Sequence, residues 1–235
     1  IDEVIMGNVI SAGLGQAPAR QAAIYAGLSN SVTSLTVNKM CGSGLIAIIL
    51  AEKALKMNDS NFIIAGGMEN MSQSPHIISN YRNGVRLGDG KILDTLIIDG
   101  LWDVYNDMHM GSCAELCADK YGIDRKKQDE FAILSYKRSQ EAQRKGFFNN
   151  EISSVIIDNK KGKHEVNQDE EPSRVDFNKL IDLKTVFKKN GTITAGNAST
   201  INDGAAAVLI STEKNALKYK LPIKARIIGQ ASIAQ

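Results

Sequence analysis

Apolar and polar positions divide the first part of the chain into alternating runs. Short apolar runs of strand length occupy residues 2–6, 34–37 and 62–67. Two stretches rich in helix formers lie between them, at 17–28 and 45–57, the first with a proline in its opening turn and a glycine near its end. The order strand, helix, strand, helix, strand predicts a layered α/β core.

Two of these runs lack a polar face. Residues 45–51 are all apolar, and a helix that is apolar all round is typically buried, so we predict that the helix at 45–57 runs through the centre of the molecule. The run 62–67 is continuously apolar and ends in glycine, which is typical of a strand covered on both faces. The longest apolar run, 44–51, is far shorter than the about 20 residues that a bilayer requires, so the sequence predicts no transmembrane helix.

The character of the chain changes over residues 69–191. Loops rich in His, Asn, Gly and Met lead to two predicted helices, at 112–121 and 125–145. Asp124 is placed to cap the second helix at its start, and Gly146 is placed to stop it. The region therefore has helices and loops of its own.

Strand character returns towards the end of the chain. The pattern predicts a strand at 151–157, a polar turn-like stretch at 160–167, and further strands at 204–211 and 223–233. We therefore predict the α/β class, with a layered α-β-α core and a long inserted loop domain.

The predicted domains follow from this change of character. Residues 1–68 form the first part of the core, 69–191 the inserted loop domain, and 192–235 the last strands of the core. Because Ile1 already lies in a strand-like run and the last residues resemble an interrupted strand, we expect a chain truncated at both ends. A targeting region would then lie outside it.

Charge and cysteine content exclude some function classes. The chain carries 28 Lys and Arg against 26 Asp and Glu, and a net charge of +2 excludes binding to nucleic acid by bulk electrostatics. A local basic patch for a phosphorylated ligand is still allowed. Three cysteines are too few and too unevenly spaced for a disulfide framework, which favours a reducing compartment.

Cys41 is the first candidate for chemistry. It lies at a predicted strand-to-helix turn, flanked by Gly42 and Gly44, at the N-terminus of the apolar helix. The partial positive charge of a helix N-terminus favours a thiolate, and the glycines permit a strained turn and the close approach of a ligand. A nucleophile and a buried structural cysteine both fit this pattern.

The other cysteines and histidines carry weaker signals. Cys113 and Cys117 are four residues apart on one predicted helix, with His109 nearby. A zinc site needs four ligands and no fourth is evident, so we expect the two cysteines to pack in the core. His76 and His164 have no partner that the sequence identifies, and we assign them no role.

A segment rich in Gly and Ala, residues 195–207, is the second candidate. Small residues before a strand permit the close approach of a ligand or of another backbone. Main-chain carbonyls and hydroxyls in such a loop can also hold a hard cation. An ordinary tight turn before a strand fits the spacing equally well.

Four segments resemble motifs of the thiolase family. Residues 37–44, VNKMCGSG, resemble the acyl-binding cysteine motif, and residues 64–72, IAGGMENMS, resemble the strand and turn that follow it. Residues 109–115, HMGSCAE, and 197–206, NASTINDGAA, resemble two further motifs. These similarities are collinear and span nearly all of the 235 residues.

Within the family, the pair His109-Met110 and the stretch 169–187 are most similar to short-chain acetyl-CoA acetyltransferases of the eukaryotic mitochondrial, potassium-activated type. The resemblance implies an acyltransferase that condenses two acetyl-CoA to acetoacetyl-CoA and CoA, or catalyses the reverse thiolysis. Cys41 would be the catalytic nucleophile, taking the acetyl group as a thioester and so splitting one difficult condensation into two easier transfers.

The family's site residues correspond to three sets of positions in this chain. The positions that would bind coenzyme A, where Arg and Lys suit its phosphates, are Tyr136, Arg174, Val175, Asp176, Lys179 and Ser199. Those that would line the acyl and pantetheine pocket are Leu101, His109, Met110 and Phe187, with His109 as pocket wall rather than base. The potassium ligands would be Tyr136 and the carbonyls of Ala195, Gly196 and Ala198, where the family usually has alanine in place of Gly196.

The resemblance also implies cofactors, partners and location. It implies no organic prosthetic group, coenzyme A as substrate, and K⁺ as a bound ion. The implied partners are acetyl-CoA and acetoacetyl-CoA, without nucleic acid or membrane, in a homo-oligomer that is a dimer or a tetramer. The implied location is the mitochondrial matrix or the cytoplasm.

The chain departs from the family in one respect. Family members carry a catalytic His and a second catalytic Cys in a C-terminal half, and neither motif is present here, so we expect this chain alone to be incomplete for turnover. Two rival interpretations remain: a degradative 3-ketoacyl-CoA thiolase of longer chain preference, and a non-catalytic thiolase-like protein that binds acyl-CoA or lipid. His109-Met110 argues against the first, and Cys41 argues against the second.

Overall fold

The computed structural model describes residues 1–160 and 162–234. Contacts divide the chain into two units, which are described separately below. The first unit contains residues 1–102 and the stretch from residue 201 onward, and the second contains residues 103–200.

Strands and helices alternate in the first part of the chain and follow one another in groups of the same kind in the rest of it. In the first part they are β1 (Glu3–Gly7), α1 (Pro18–Tyr25), β2 (Thr33–Val37), α2 (Ser43–Lys56), β3 (Phe62–Asn70), β4 (His76–Ile78) and β5 (Ile92–Asp94). They continue with β6 (Trp102–Asp103), β7 (Met108–His109), α3 (Met110–Tyr121), α4 (Arg125–Arg144), β8 (Val155–Asn159), β9 (Gly162–Val166), α5 (Glu171–Arg174) and α6 (Phe177–Leu180). The last two are β10 (Asp203–Ser211) and α7 (Glu213–Lys218), and a π-helical stretch occupies Leu96–Leu101.

A four-stranded sheet forms the centre of the first unit, in the order β10-β3-β1-β2. β1 pairs in parallel with β2 and β3, and β10 pairs antiparallel with β3. Successive side chains of β1 point to opposite faces: Val4 and Met6 pack with Ala19 of α1, whereas Ile5 packs with Ala47 of α2. The predicted layered α-β-α core is confirmed.

The capping residues predicted for the second unit behave as expected. Asp124 precedes α4, and its carboxylate accepts a hydrogen bond from the N–H of Lys127 at 2.8 Å. Gly146 follows the last turn with φ of 68°, a left-handed conformation that suits glycine. α4 therefore begins and ends close to the predicted positions.

The prediction that α2 is buried all round is wrong for the residues described. Ala47 and Ala51 are 0% exposed where they face the sheet, but Leu45 on another face is 64% exposed. The sheet covers only one side of α2 among the described residues. Contact with the sheet therefore does not account for the apolar residue Leu45 on another face of the helix.

Two predicted strand assignments also need correction. Residues 221–234 contain no helix or strand, although the sequence predicts a strand at 223–233; β-forming side chains make a strand only where a partner supplies backbone hydrogen bonds. Conversely, the polar stretch predicted as a turn contains β9, which pairs antiparallel with β8. Residue 161 lies outside the described residues.

The observed division of the chain differs from the predicted domain boundaries after residues 68 and 191. The stretch after β3 stays with the sheet, because Ser72 donates from its N–H and its hydroxyl to the carboxylate of Asp203 in β10, at 2.9 and 2.6 Å. Residues 192–200 stay with the second unit, because Thr192 and Ile193 bind Glu115 of α3.

Within the described part of the chain, no helix combines the length and the apolar content that crossing a bilayer requires.

Candidate active site

Cys41 lies in the turn that joins β2 to α2, two residues before the helix begins. Its side chain is exposed. Met40, just before it, has φ of 49°, in the left-handed region that residues with a side chain rarely adopt. The N-terminal end of α2 places the partial positive charge of the helix dipole beside this turn, and the N–H groups of Gly42 and Ser43 donate to the carbonyls of Lys39 and Met40 at 3.1 and 3.0 Å. The predicted position of Cys41 is confirmed, and its catalytic role stays a prediction.

Side chains on both sides of Cys41 hold the turn. The amide oxygen of Asn38 accepts a hydrogen bond from the N–H of Met40 at 2.9 Å. The hydroxyl of Ser43 accepts one from the N–H of Lys39 at 2.8 Å and donates one to the carbonyl of Met40 at 2.5 Å. Sequence reasoning missed the part played by Ser43, because a serine at the start of a helix gives no sign of where its hydroxyl points.

Glycines let the start of α2 rest directly on the backbone of the sheet. A Cβ at Gly7, the last residue of β1, would lie 2.6 Å from the carbonyl carbon of Ser43 and 2.7 Å from the nitrogen of Gly44. A Cβ at Gly67 in β3 would lie 3.4 Å from the Cα of Gly44. The contact at Gly7 leaves no room for a side chain, whereas the distance at Gly67 is that of ordinary van der Waals contact, so Gly7 fixes the height of the Cys41 turn above the sheet.

Glu69 ties the end of β3 to the chain that follows β1. Its carboxylate accepts hydrogen bonds from the side chain of Asn8 at 3.1 Å and from the N–H groups of Val9 and Ile10 at 2.9 and 3.1 Å. Asn8 is 4% exposed and also donates to the carbonyl of Met68 at 3.0 Å. Glu69 lies within the motif at residues 64–72, but local sequence does not identify its partners, which are about 60 positions away in the chain.

The predicted pocket residues fall in both units. Leu101 is the last residue of the π-helical stretch in the first unit and is half-buried. In the second unit, the His109 ring stacks on Phe187, with ring centroids 4.8 Å apart and 21° between the planes. Gly111 makes room for this stack, since a Cβ there would lie 2.3 Å from the Phe187 ring. Met110 is 40% exposed.

His109 also caps α3. Its Nδ1 accepts a hydrogen bond from the N–H of Gly111 at 2.9 Å. A ring held by stacking and by this hydrogen bond suits the predicted role of pocket wall better than that of a mobile base.

The predicted coenzyme A residues at 174–179 follow one another through α5 and α6. Arg174 pairs with Glu170, and Asp176 caps α6 and lies 3.3 Å from the ammonium group of Lys179. The hydrogen bonds from Lys179 and from the N–H of Asn178 hold the pKa of Asp176 below its usual value. The side chains of Arg174 and Lys179 are 64% and 82% exposed, so both cations are accessible, and Val175 lies half-buried between them.

Tyr136 faces this segment from α4. Its hydroxyl lies 3.5 Å from a carboxylate oxygen of Glu171, and its ring meets that of Phe177 edge-on at 6.5 Å. Burial raises the pKa of Tyr136 above its ordinary value, and the negative charge of Glu171 raises it further. The structure thus brings Tyr136 to the α5–α6 segment, as the resemblance implies for a shared CoA site.

The loop with the predicted carbonyl ligands is held by Asn197. Its amide donates to Asp129 of α4 at 2.9 Å and to the carbonyl of Thr192 at 3.0 Å, and its oxygen accepts from the N–H of Thr194 at 2.8 Å. Asp129 precedes Tyr136 by seven residues on α4, a rise of about 10 Å. The three predicted carbonyls belong to Ala195, Gly196 and Ala198, and exposed Ser199 follows them.

Glu115 supports the same loop from α3. It is 3% exposed, and its carboxylate accepts hydrogen bonds from the N–H of Ile193 at 2.8 Å and from the N–H and the hydroxyl of Thr192 at 2.9 Å. Burial alone would raise the pKa of Glu115, but these hydrogen bonds outweigh it and hold the pKa below the ordinary 4.5. The sequence placed no weight on this residue, since nothing local marks a helical glutamate as buried.

Cys113 and Cys117, the other two cysteines, do not belong to a group of catalytic or metal-binding side chains among the described residues. Cys113 is half-buried and Cys117 is exposed, which corrects the expectation that both pack in the core: α3 presents Cys117 to solvent. Among the described residues, no group of three or more His, Cys, Asp or Glu could hold a metal ion.

An apolar cleft of about 710 Å³ lies between α2, β10 and residues 221–227, and Cys41 does not line it.

Comparison with known proteins gives this geometry a context. Residues 1–214 match the family model described as "Thiolase, N-terminal domain". The chain is 48% identical over 236 aligned residues to a probable acetyl-CoA acetyltransferase of Dictyostelium discoideum, covering 100% of this chain and 57% of that protein. It is 47% identical to an acetyl-CoA acetyltransferase of Cupriavidus necator, covering 99% of this chain and 60% of that protein.

A solved structure agrees with these relatives. The Acat5 thiolase from Ascaris suum, crystallised in complex with coenzyme A, superposes with a TM-score of 0.86 at 37% identity, over 94% of this chain and 56% of that one. The chain therefore spans less than two thirds of the length of the proteins that it matches. On the family model, which covers most of the sequence, the chain belongs to the thiolase family.

Proposed function

We propose that the protein containing this chain is an acetyl-CoA acetyltransferase, which condenses two acetyl-CoA to acetoacetyl-CoA and CoA and also catalyses the reverse thiolysis. The observation that carries the proposal is the exposed thiol of Cys41 on a strained turn at the N-terminus of α2. The relatives named acetyl-CoA acetyltransferase support the choice of an acetyl group.

In the first step, Cys41 attacks the thioester carbonyl of acetyl-CoA. A bond forms between the acetyl carbon and Sγ of Cys41, the bond from that carbon to the CoA sulfur breaks, and the CoA thiolate takes up the proton released by the Cys41 thiol. The partial positive charge at the N-terminus of α2 stabilises the negative charge on the attacking sulfur.

In the second step, a second acetyl-CoA loses an α-proton to a base and its carbanion attacks the acetyl group on Cys41. A carbon–carbon bond forms, the bond between the acetyl carbon and Sγ of Cys41 breaks, Cys41 leaves as a thiolate that takes up the proton the base removed, and the product is acetoacetyl-CoA. We assign Cys41 to both steps as acceptor and leaving group, and no residue of this chain as the base.

Coenzyme A is bound, in this proposal, by the second unit's Arg174 and Lys179 at its phosphates, with Val175, Tyr136 and Ser199 beside them. The two cations are exposed and each already has one carboxylate neighbour, so a phosphate would compete with Glu170 and Asp176 for them.

Trapping the acetyl-enzyme tests the proposal directly. The full-length protein is incubated with labelled acetyl-CoA, quenched in acid and mapped by peptide mass spectrometry. We expect the acetyl group on Cys41 and none in Cys41→Ala. Cys117→Ala is the matched control, because it removes another exposed thiol from the middle of a helix, and it should label as the wild type does. A label on Cys113, or one that persists in Cys41→Ala, contradicts the proposal.

We also propose that K⁺ binds at Tyr136 and the carbonyls of Ala195, Gly196 and Ala198. The support is that Asn197 anchors this loop to α4, the helix that carries Tyr136, and that main-chain carbonyls suit a hard cation. The bound ion would order the loop that ends in Ser199, and it would stabilise the ordered state by mass action.

Exchange of the monovalent ion tests this second proposal. At matched ionic strength, K⁺ should raise the melting temperature of the full-length protein and lower the KM for acetyl-CoA, and Na⁺ should do so less. Equal melting temperatures and equal KM values in the two salts contradict the site.

For the whole protein we further propose a homo-oligomer, a dimer or a tetramer, in the mitochondrial matrix or the cytoplasm. The support is the resemblance to the eukaryotic mitochondrial type of the family. Sedimentation of the purified full-length protein measures the oligomeric state, and a monomer at micromolar concentration contradicts the proposed assembly. Cell fractionation measures the location.

A further inference from the structure

The hydroxyl of Ser43 lies at the centre of the turn that carries Cys41. Ser43 is 5% exposed and follows Cys41, yet both hydrogen-bond partners of its hydroxyl precede Cys41 in the chain. The hydroxyl accepts from the N–H of Lys39 at 2.8 Å and donates to the carbonyl of Met40 at 2.5 Å. It thus closes a ring of contacts around the exposed cysteine.

Met40 is the residue that this ring constrains. Its φ of 49° is left-handed, a conformation that disfavours every residue with a Cβ and persists only where the surroundings impose it. Asn38 binds the N–H of Met40 at 2.9 Å, and Ser43 binds its carbonyl. Side chains therefore hold Met40 through its N–H and through its carbonyl, and the carbonyl also accepts from the main-chain N–H of Ser43 at 3.0 Å, a contact that Ser43→Ala leaves in place.

The carbonyl group of Met40 belongs to the peptide that joins it to Cys41. Rotation of that peptide turns the Cα–Cβ bond of Cys41 and so changes the direction of the thiol. Gly7 fixes the position of Ser43 itself, because the end of β1 leaves no space between the two backbones. The hydroxyl of Ser43 is therefore a fixed point against which the peptide before Cys41 is oriented.

We infer that Ser43 is a positioning residue for Cys41: its hydroxyl holds Met40 in the left-handed conformation and so directs the thiol for attack on an acyl group. Ser43 does not touch the reacting atoms. The inference rests on the proposed role of Cys41 as acetyl acceptor, and it adds to that role a residue that decides how the nucleophile is presented.

Four variants of the full-length protein test the inference: Ser43→Ala, Ser34→Ala, Met40→Gly and the double variant of Ser43 and Met40. Ser34→Ala is the matched control, since it removes a buried hydroxyl of β2 that has no hydrogen-bond partner in the described structure. Glycine adopts the left-handed conformation without strain, so Met40→Gly removes the need for the constraint.

Two rates are measured for each variant: alkylation of Cys41 by iodoacetamide, and acetylation of Cys41 at saturating acetyl-CoA. We expect Ser43→Ala to slow both about tenfold, with the half-saturating acetyl-CoA concentration unchanged, and Ser34→Ala to match the wild type. Adding Met40→Gly to Ser43→Ala should restore most of both rates. A purely structural role for Ser43 would lower the melting temperature without this rescue.

The results separate the inference from the proposed function. Wild-type rates in Ser43→Ala, or a loss that Met40→Gly does not restore, overturn the inference. A wild-type protein that is alkylated but never acetylated overturns the proposed function, while the alkylation ratio still decides the role of Ser43. If Ser43→Ala does not fold, Asn38→Ala tests the same constraint through the exposed Asn38, and an unchanged alkylation rate there overturns the inference.

Discussion

The turn at Cys41 and the loop at residues 192–199 are both held in place, but by different forces. The turn rests on bare backbone: Gly7 meets Ser43 and Gly44 with no room for a methyl group. Two carboxylates hold the loop by hydrogen bonds: Glu115 accepts from Thr192 and Ile193, and Asp129 accepts from Asn197.

The contrast extends to what can move. A Cβ at Gly196 in the loop would lie 2.9 Å from Cγ of Leu180 and 2.9 Å from Cδ1 of Leu183, which are side-chain rather than main-chain atoms. A Cβ at Gly7 would meet main-chain atoms, which cannot move without displacing α2. The stability of the turn at Cys41 should therefore depend most on the volume of residue 7, and the stability of the loop at residues 192–199 should depend on the charge of Glu115.

The largest expected effect is that of Gly7→Ala. The added methyl must push the first turn of α2 off the sheet, and overpacking of this kind costs about 3 kcal/mol of unfolding free energy. Denaturant unfolding measures the loss, and iodoacetamide alkylation of Cys41 should slow in parallel. Gly204→Ala is the matched control, because a Cβ at Gly204 in β10 meets nothing within 4 Å. Equal stability of the two variants would show that the turn is not held by backbone contact.

A smaller effect is expected for Glu115→Gln. The amide keeps the shape but loses the charge that strengthens the hydrogen bonds from Thr192 and Ile193, a cost of about 2 kcal/mol. The KM for acetyl-CoA should rise, while alkylation of Cys41 stays as in the wild type. Glu141→Gln is the control, since Glu141 is half-exposed and its ion-pair partner, within residues 1–160 and 162–234, is Lys145 on its own helix. Slower alkylation in Glu115→Gln contradicts the separation of the two regions.

The pH dependence of the melting temperature, measured for the wild type and for Glu115→Gln, tests the contribution of the Glu115 carboxylate to the loop. Because the folded pKa of Glu115 is below its unfolded value of about 4.5, the unfolded state binds more protons in acid. The stabilisation by the carboxylate is therefore complete above pH 4.5 and is lost as the pH falls through the folded pKa. The difference in melting temperature between wild type and Glu115→Gln should shrink over that range; a difference that stays constant would remove Glu115 as its source.

The same difference in forces explains what the sequence could predict. The strand-helix order, the position of Cys41 and the cap at Asp124 follow from local patterns, and the structure confirms them. The contact of Gly7 with Ser43 joins residues 36 positions apart, and that of Glu115 with Thr192 joins residues 77 apart. No local period or motif encodes such pairs, so the supports of both regions were missed.

The misassigned elements have a related cause. The sequence predicts a buried helix from the apolar run that begins at Leu45, but burial depends on what lies against each face, and the described residues cover only the face of Ala47. The residues of β9 are polar and form a strand because β8 supplies their partners. Local composition reports a tendency, and tertiary contact decides the outcome.

The smallest effect on stability is expected for Arg174→Ala, because Arg174 lies on the surface. Arg174 is neither packed against backbone nor buried with a carboxylate partner, and its ion pair with Glu170 is exposed, so its loss should leave the melting temperature nearly unchanged. If it binds a phosphate of coenzyme A, the KM for acetyl-CoA should rise about tenfold while kcat stays constant, the sign of an interaction made equally in the ground and transition states. Arg226→Ala is the control, since it breaks a similarly exposed pair with Glu213 and should change neither parameter. A collapse of kcat at constant KM would place Arg174 in the chemistry, and would mean that the second unit also does more than bind.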